Sequence, residues 1–442
     1  MAKAKNLFVC SDCGFQCPKW LGQCPECHAW GTLEETLVEK KLQSSVLKPV
    51  EVNRFADIGL DSTTRIHCGN TEMDRVLGGG FVPGTVLLFG GEPGVGKSTL
   101  LLQLFANLAD AYSVLYISGE ESVGQIKLRG MRLGLSADGI LVAHETRLEP
   151  LVELLEQLKP KFVVVDSIQT LQSVQLGSPS GTVSQVRHCA QCLIDWTKGA
   201  AATLVLVGHI TKEGVIAGPK TLEHMVDGVF LFEGERDGEL RLIRAQKNRF
   251  GPISELGIFR MTEKGLEVVP NPSALLIRQR PQNAPGSVIV PCVEGSRVFL
   301  VELQVLVTST QFPSPRRLTN GVDPNRLAMV LAVLEKKAGL QIQGYDVFVN
   351  VAGGLQVREP AMDLAIAVGV YSAFRNLPVA EELAVFGELG LAGEVRPVSK
   401  SDLRIQECRH FGFKKVLRPP AEGDEALGQF TNSLMAALER AF

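Results

Sequence analysis

The 442-residue sequence has no apolar stretch long enough to span a bilayer, and no apolar signal core follows Met1-Ala2-Lys3-Ala4-Lys5. A cytoplasmic protein with no membrane partner is expected. Charge of one sign is also lacking: 45 Lys and Arg stand against 48 Asp and Glu, for a formal net charge of −3. No general field draws the chain to nucleic acid, so any DNA binding must come from local basic surfaces or a lined channel. What remains is a soluble composition, 45% hydrophobic and 21% charged, at a length that suits two or three domains. The ten cysteines of such a chain point to metal binding or buried thiols rather than disulfides.

The strongest local pattern is Gly91-Glu92-Pro93-Gly94-Val95-Gly96-Lys97-Ser98, which meets Gly-x-x-x-x-Gly-Lys-Ser/Thr at every fixed position. Val86–Phe89 before it reads as a strand, and the run from Thr99 to Phe105 reads as a helix. A glycine-rich turn between strand and helix gathers backbone N–H groups around an anion, and the helix dipole favours negative charge there. Lys97 is expected to reach the β- and γ-phosphates of ATP, and the Ser98 hydroxyl to bind Mg²⁺.

Cys10-x-x-Cys13 and Cys24-x-x-Cys27 have the spacing of a tetrahedral Zn²⁺ site in a segment too small to fold around an apolar core. Cys17 is the competing ligand, without a paired partner of its own. Trp20 and Trp30 either cover the metal or stack on a base or a partner. Residues 34–55 are polar and aperiodic and read as a linker. Cys189 and Cys192 fall in a helical segment with no second pair and read as core thiols.

Val114–Ser118 is a buried-type strand leading to Glu120, where a carboxylate can orient or deprotonate an attacking water; spacing alone does not exclude Glu121. Phe162–Val165 closes on Asp166 in the Walker B manner, which puts a second Mg²⁺-binding carboxylate at a strand end. Leu204–Ile210 is a further strand, with His209 and Thr211 at its end. With Leu77-Gly78-Gly79-Gly80-Phe81-Val82-Pro83-Gly84 ahead of the phosphate loop, the segment resembles the RecA-like ATPases. That resemblance implies that Glu120 serves the water, that Thr211 or His209 senses the γ-phosphate, and that the Gly-, Ser- and Gln-rich stretch 172–185 faces a central channel. An ordinary surface loop is the other reading of that stretch.

Lys247-Asn248-Arg249-Phe250-Gly251, following the zinc pairs and Walker motifs in this order, resembles the bacterial RadA (Sms) family of DNA repair ATPases over nearly the whole chain. The resemblance implies a role for Lys247 and Arg249 in ATP turnover and DNA binding. As cations they could act on a neighbour's nucleotide or on DNA phosphates, and a charged hairpin turn is the plainer alternative. It also implies a homo-oligomeric ring, taken as a hexamer, acting on single-stranded and branched DNA beside a RecA-type recombinase.

The C-terminal region alternates strands and helices and reads as a second α/β domain. Around Val351–Gly354, Glu359–Asp363 and Phe386–Val398 it resembles the proteolytic domain of Lon. Ala361 stands where that family carries its serine, and Asp402, with Lys400 two residues away, where it carries its lysine. A methyl group cannot attack a carbonyl, so proteolysis is expected to be lost. Arg316, Arg317, Arg326, Lys336 and Lys337 read as a basic surface that could follow a DNA backbone, or for the lysines as a solvated helix face. The expected architecture is α/β throughout: a C4 zinc ribbon over 1–33, the linker, a RecA-like P-loop ATPase core over 56–272, and an inactive Lon-like domain over 273–442. The leading function is a DNA-dependent ATPase motor that drives branch migration. An ATP-gated scaffold is the alternative, and an ATP-dependent protease comes third.

Overall fold

The computed structural model describes residues 6–10, 15–26, 28–37, 54, 65–135, 139–209, 220–234, 239–420 and 428–442. Cys13, Cys27 and Thr211 lie outside the described residues, as does most of the expected linker. The chain divides into two compact units at Val268/Val269, where the sequence reading puts the break at 272/273.

At the start of the first unit, β1 (Asn6–Cys10), β2 (Gln16–Cys17) and β3 (Leu33–Leu37) pair antiparallel in the order β2-β1-β3. Its buried cluster is Cys10, Cys17, Cys24 and Leu33. Among the described residues so little apolar area does not offset the entropy of ordering the chain, and a cross-link of another kind is expected.

The rest of the unit contains α1 (Thr71–Leu77), β4 (Val86–Gly91), α2 (Lys97–Leu108), β5 (Val114–Ser118), α3 (Val123–Arg132) and β6 (Ile140–His144). There follow α4 (Leu148–Leu158), β7 (Phe162–Asp166), α5 (Val183–Ala200), β8 (Thr203–His209), α6 (Lys220–Met225), β9 (Gly228–Glu233), β10 (Leu240–Asn248), β11 (Leu256–Thr262) and β12 (Gly265–Val268). Among the described residues, nine strands form one sheet in the order β12-β11-β10-β9-β4-β8-β7-β5-β6. From β9 to β6 neighbours are parallel, and β9 to β12 form an antiparallel meander. Strands β4, β5 and β7 are buried along their whole length, which is why they read as continuous apolar runs. Alternate residues serve opposite faces: Leu87 and Phe89 join one core, Val86 and Leu88 the other. The approach to β4 needs its three glycines. Gly78, Gly79 and Gly80 have φ of 85°, 111° and 121°, and a Cβ on Gly80 would lie 2.6 Å from the Ile66 carbonyl oxygen.

The second unit contains α7 (Pro272–Ile277), β13 (Ser287–Glu294), β14 (Arg297–Ser309), β15 (Arg317–Asn320), α8 (Pro324–Ala338), β16 (Tyr345–Val351) and α9 (Asp363–Arg375). It continues with β17 (Leu383–Val385), β18 (Glu388–Leu389), β19 (Val395–Arg396), α10 (Ser401–His410), β20 (Lys415–Arg418), β21 (Gly428–Phe430) and α11 (Leu434–Ala441). Its main sheet runs β15-β16-β14-β13-β17-β20-β21. Helix α8 is bounded by local chemistry: Asp323 caps it, Pro324 opens it, and Gly339 at φ 66° ends it.

Candidate active site

The phosphate loop leaves β4 at Gly91 and enters α2 at Lys97 through Gly96, whose φ of 113° excludes other residues. No side chain caps α2, so the first-turn N–H groups of Lys97, Ser98 and Thr99 are presented for an anion. Lys97 is 4% exposed, and its ammonium donates to the carbonyl oxygens of Gly91 (2.7 Å) and Glu92 (2.9 Å). Burial pulls its pKa down to about 8, with Asp166, Glu120 and Glu92 resisting the shift.

Asp166 ends β7 and is buried; its Oδ2 accepts a hydrogen bond of 2.6 Å from the Tyr116 hydroxyl on β5. One carboxylate oxygen is thereby oriented by the protein. Tyr116 is a residue the sequence reading missed. The available signal was a tyrosine within an otherwise aliphatic buried strand, since a buried phenol needs a partner.

Glu120 follows β5, and the structure separates it from Glu121. Glu120 Oε1 accepts from the Ser167 hydroxyl at 2.6 Å and lies 2.9 Å from His209 Nε2. Glu121 instead forms an ion pair with Arg129 on α3. His209 Nδ1 is 3.4 Å from Lys97 Nζ, so the Nε2–H tautomer donates to Glu120 while its other nitrogen faces the lysine. These contacts, the His209 hydrogen bond first, hold the Glu120 carboxyl at about 2, and it is ionised throughout the neutral range. The ends of β4, β5, β7 and β8 therefore bring Lys97, Glu120, Asp166 and His209 together, as expected of an open α/β sheet.

Lys247 and Arg249 are not part of this cluster. The pairing of β10 with β9, and of β9 with β4, sets Lys247 level with Leu88 and Asn248 level with Leu87. Gly91 lies three residues beyond Leu88 along β4, about 10 Å at a strand's rise per residue. The Lys247 ammonium donates to the carbonyl oxygens of Glu223 (2.6 Å) and Val226 (2.7 Å), closing the end of α6. Arg249 pairs with Asp227 at 3.0 Å, and the other Asp227 oxygen accepts from the Val86 N–H. Lys247 thus lies within β10, and Arg249 opens the turn to β11.

Stretch 172–185 is built around two buried groups rather than left loose. The Gln185 amide donates to the carbonyls of Ser173, Leu176 and Ser178 and accepts from the Ser173 N–H. Glu149 accepts from the Ser173 hydroxyl at 2.6 Å. Val174 projects from this frame, 78% exposed.

Cys10 and Cys24 are fully buried in the N-terminal cluster, with Cys17 beside them. Among the described residues no group of three His, Cys, Asp or Glu is arranged to hold a metal. Trp20 and Trp30 are 59% and 75% exposed, and both indoles converge over Gly22. Cys189 is a core thiol, pushed up to about 12 by burial.

In the second unit Ala361 is fully buried among Ile289, Phe386, Ile405 and Cys408. Arg404 is also fully buried, paired with Glu359. The Arg326 guanidinium donates to both oxygens of Asp363, at 2.7 and 2.8 Å, and so does not belong to the expected basic surface. Arg317 is likewise turned inward, donating to the carbonyls of Tyr345 and Ile342, whereas Arg316, Lys336 and Lys337 are exposed. A cavity of about 470 Å³ adjoins the Arg326–Asp363 pair, and none of its lining residues carries a nucleophilic hydroxyl or thiol.

Three family models match successive parts of the chain: a rubredoxin metal binding domain over residues 8–35, an AAA domain over 60–215, and subunit ChlI of Mg-chelatase over 325–422. The C-terminal match is thus to ChlI. The chain is 48% identical to the DNA repair protein RadA of Pseudomonas aeruginosa, covering 95% of this chain and 94% of that one. Identity to the RadA of Halalkalibacterium halodurans is 46%, over 98% and 95% of the two chains. For the RadA of Escherichia coli it is 44%, over 95% and 94%. At this identity over nearly full length, the chain belongs to the RadA family of DNA repair proteins.

Proposed function

We propose that this chain hydrolyses ATP in response to DNA and uses the cycle to move single-stranded DNA within branched recombination intermediates. It would act as a ring, taken as a hexamer, in the cytoplasm and beside a RecA-type recombinase. The observation that carries the reading is the separation of Lys247 and Arg249 from Lys97 across the sheet. Two cations that cannot reach their own nucleotide suit a site completed by a neighbouring subunit, or a channel through which DNA phosphates pass.

Within one subunit the loop N–H groups and Lys97 hold the triphosphate, and Thr211 completes the γ-phosphate contacts. The Ser98 hydroxyl and Asp166 are hard oxygen donors of the kind Mg²⁺ takes, and the ion when bound would neutralise charge on the β- and γ-phosphates. Glu120, held at about 2, is a weak base in this conformation. It orients the attacking water, and takes up the proton only after the contact with His209 loosens. Zn²⁺ on Cys10, Cys13, Cys24 and Cys27 would supply the missing cross-link of the N-terminal sheet; the two of these that are described share one buried cluster, as co-ligands require. The Lon-like unit is proteolytically inactive, with Ala361 sealed in its core.

A fluorescently labelled three-strand branched DNA tests the motor. Strand displacement should require ATP, fail with a non-hydrolysable analogue and vanish in Lys97→Ala. DNA-stimulated turnover with no strand displaced would favour an ATP-gated scaffold.

A further inference from the structure

The turn Ile168–Thr170 follows the Walker B strand and touches three glycines. A Cβ on Gly119 would lie 2.0 Å from the Thr170 hydroxyl oxygen, and one on Gly208 3.6 Å from the Gln169 amide nitrogen. A Cβ on Gly181 would lie 3.7 Å from the Gln169 carbonyl oxygen. Gly119 and Gly208 directly precede Glu120 and His209, the two residues joined at 2.9 Å across the active site. Gly181 belongs to stretch 172–185. One short turn therefore contacts both strand ends that carry the reactive groups, and also the segment that the channel reading assigns to DNA.

Within that turn Gln169 is unusual. Its amide nitrogen and oxygen are both shielded from solvent, and neither has a hydrogen-bond partner among the described residues. The contrast with Gln185 is direct, since that amide is used at both ends. Buried polar groups are normally paired, and a near-isosteric apolar side chain would fill the same space without the desolvation cost. A side chain kept polar at such a place has hydrogen bonds to make in another arrangement of the same elements.

We propose that Gln169 is a positioning residue that couples DNA on stretch 172–185 to the Glu120–His209 pair. When DNA shifts the segment, the Gln169 amide gains partners, and the displaced turn moves the Gly119 and Gly208 strand ends, releasing Glu120 from His209. The inference rests on the DNA-stimulated ATPase reading above.

The test is Gln169→Met in the full-length protein, a change that keeps the unbranched shape and removes the hydrogen-bonding atoms. Turnover with and without single-stranded DNA, DNA affinity by anisotropy, and melting temperature are measured together. Basal turnover should stay within about twofold and DNA affinity should be unchanged, while stimulation by DNA falls by about fivefold or more. The melting temperature should hold or rise. Retained stimulation overturns the proposal, as does a joint fall in melting temperature and basal turnover, which marks a structural role. Lost DNA affinity overturns it too, because Gln169 would then be a DNA contact. If DNA does not stimulate the wild-type protein, the functional reading itself has failed, and that outcome is distinct from a stimulated wild type beside a stimulated variant.

Discussion

Lys97 allows the phosphate-loop assignment to be tested without a mutation. Its ammonium is buried against the Gly91 and Glu92 carbonyls and titrates at about 8 instead of 10.5. Burial penalises the charged form, whereas a triphosphate in the loop requires it, so nucleotide binding should raise the pKa and take up a proton. Affinity is then full below about pH 8 and is lost as pH rises through that value. With a bound state that keeps its charge, the affinity expected at pH 9 is about tenfold weaker than at pH 7. The last proton of the triphosphate titrates near pH 6 to 7 and contributes little over this interval. Anisotropy of a fluorescent ATP analogue reads the affinity. Calorimetry at pH 8 in buffers of different ionisation heat should show uptake of about half a proton. An affinity that stays flat from pH 7 to 9, with no buffer-dependent heat, would refute the argument that this lysine is both desolvated and the phosphate ligand. The same shift has a stability signature of opposite sense. Without nucleotide, stability should rise between about 8 and 10.5, where the unfolded chain holds a proton that the folded chain has released.

Glu120→Gln should lower ATP turnover by about 100-fold or more while nucleotide still binds, as read by phosphate release and by anisotropy; equal loss in Glu121→Gln would contradict the assignment of Glu121 to Arg129. Tyr116→Phe removes the donor that orients Asp166, and should raise the Mg²⁺ concentration for half-maximal turnover by about tenfold. An unchanged Mg²⁺ dependence with only a lower melting temperature would reduce that tyrosine to a packing role. Elemental analysis should find about one Zn²⁺ per chain, lost in Cys24→Ser; a metal-free N-terminus that keeps its circular dichroism would exclude the site. Mixing Lys97→Ala with Arg249→Ala subunits should recover activity that neither has alone if Arg249 serves a neighbour's nucleotide, and no recovery would leave it to DNA or to the turn it closes.

Much of the core was legible in the chain. The runs 86–89, 114–118 and 162–165 became β4, β5 and β7 because strands buried on both faces must be apolar at every position. The break expected at 272/273 falls within a few residues of the division at Val268/Val269. Long-range pairings were not legible. Nothing in the spacing told Glu120 from Glu121, because the choice depends on Arg129 eight residues away and on His209 across the sheet. Arg326 read as part of a basic surface until Asp363, 37 residues later, was found to take its charge. That Trp20 and Trp30, ten residues apart, are both exposed with their rings over Gly22 was likewise set by the fold.

By itself the sequence determined where a phosphate loop and paired cysteine ligands are expected. A glycine loop with Lys97 and Ser98 is a phosphate site wherever it is placed, because its ligands are neighbours in the chain and its backbone makes the cradle. Paired cysteines at short spacing are similar, since the segment carries its own ligands. Only the tertiary structure decided which carboxylate joins Ser167 and His209, that Tyr116 hydrogen-bonds Asp166, and that Lys247 and Arg249 stand apart from the Lys97 cluster of their own subunit. Those relations join residues tens to more than a hundred positions apart, and strand order and register, which no local pattern encodes, set their distances.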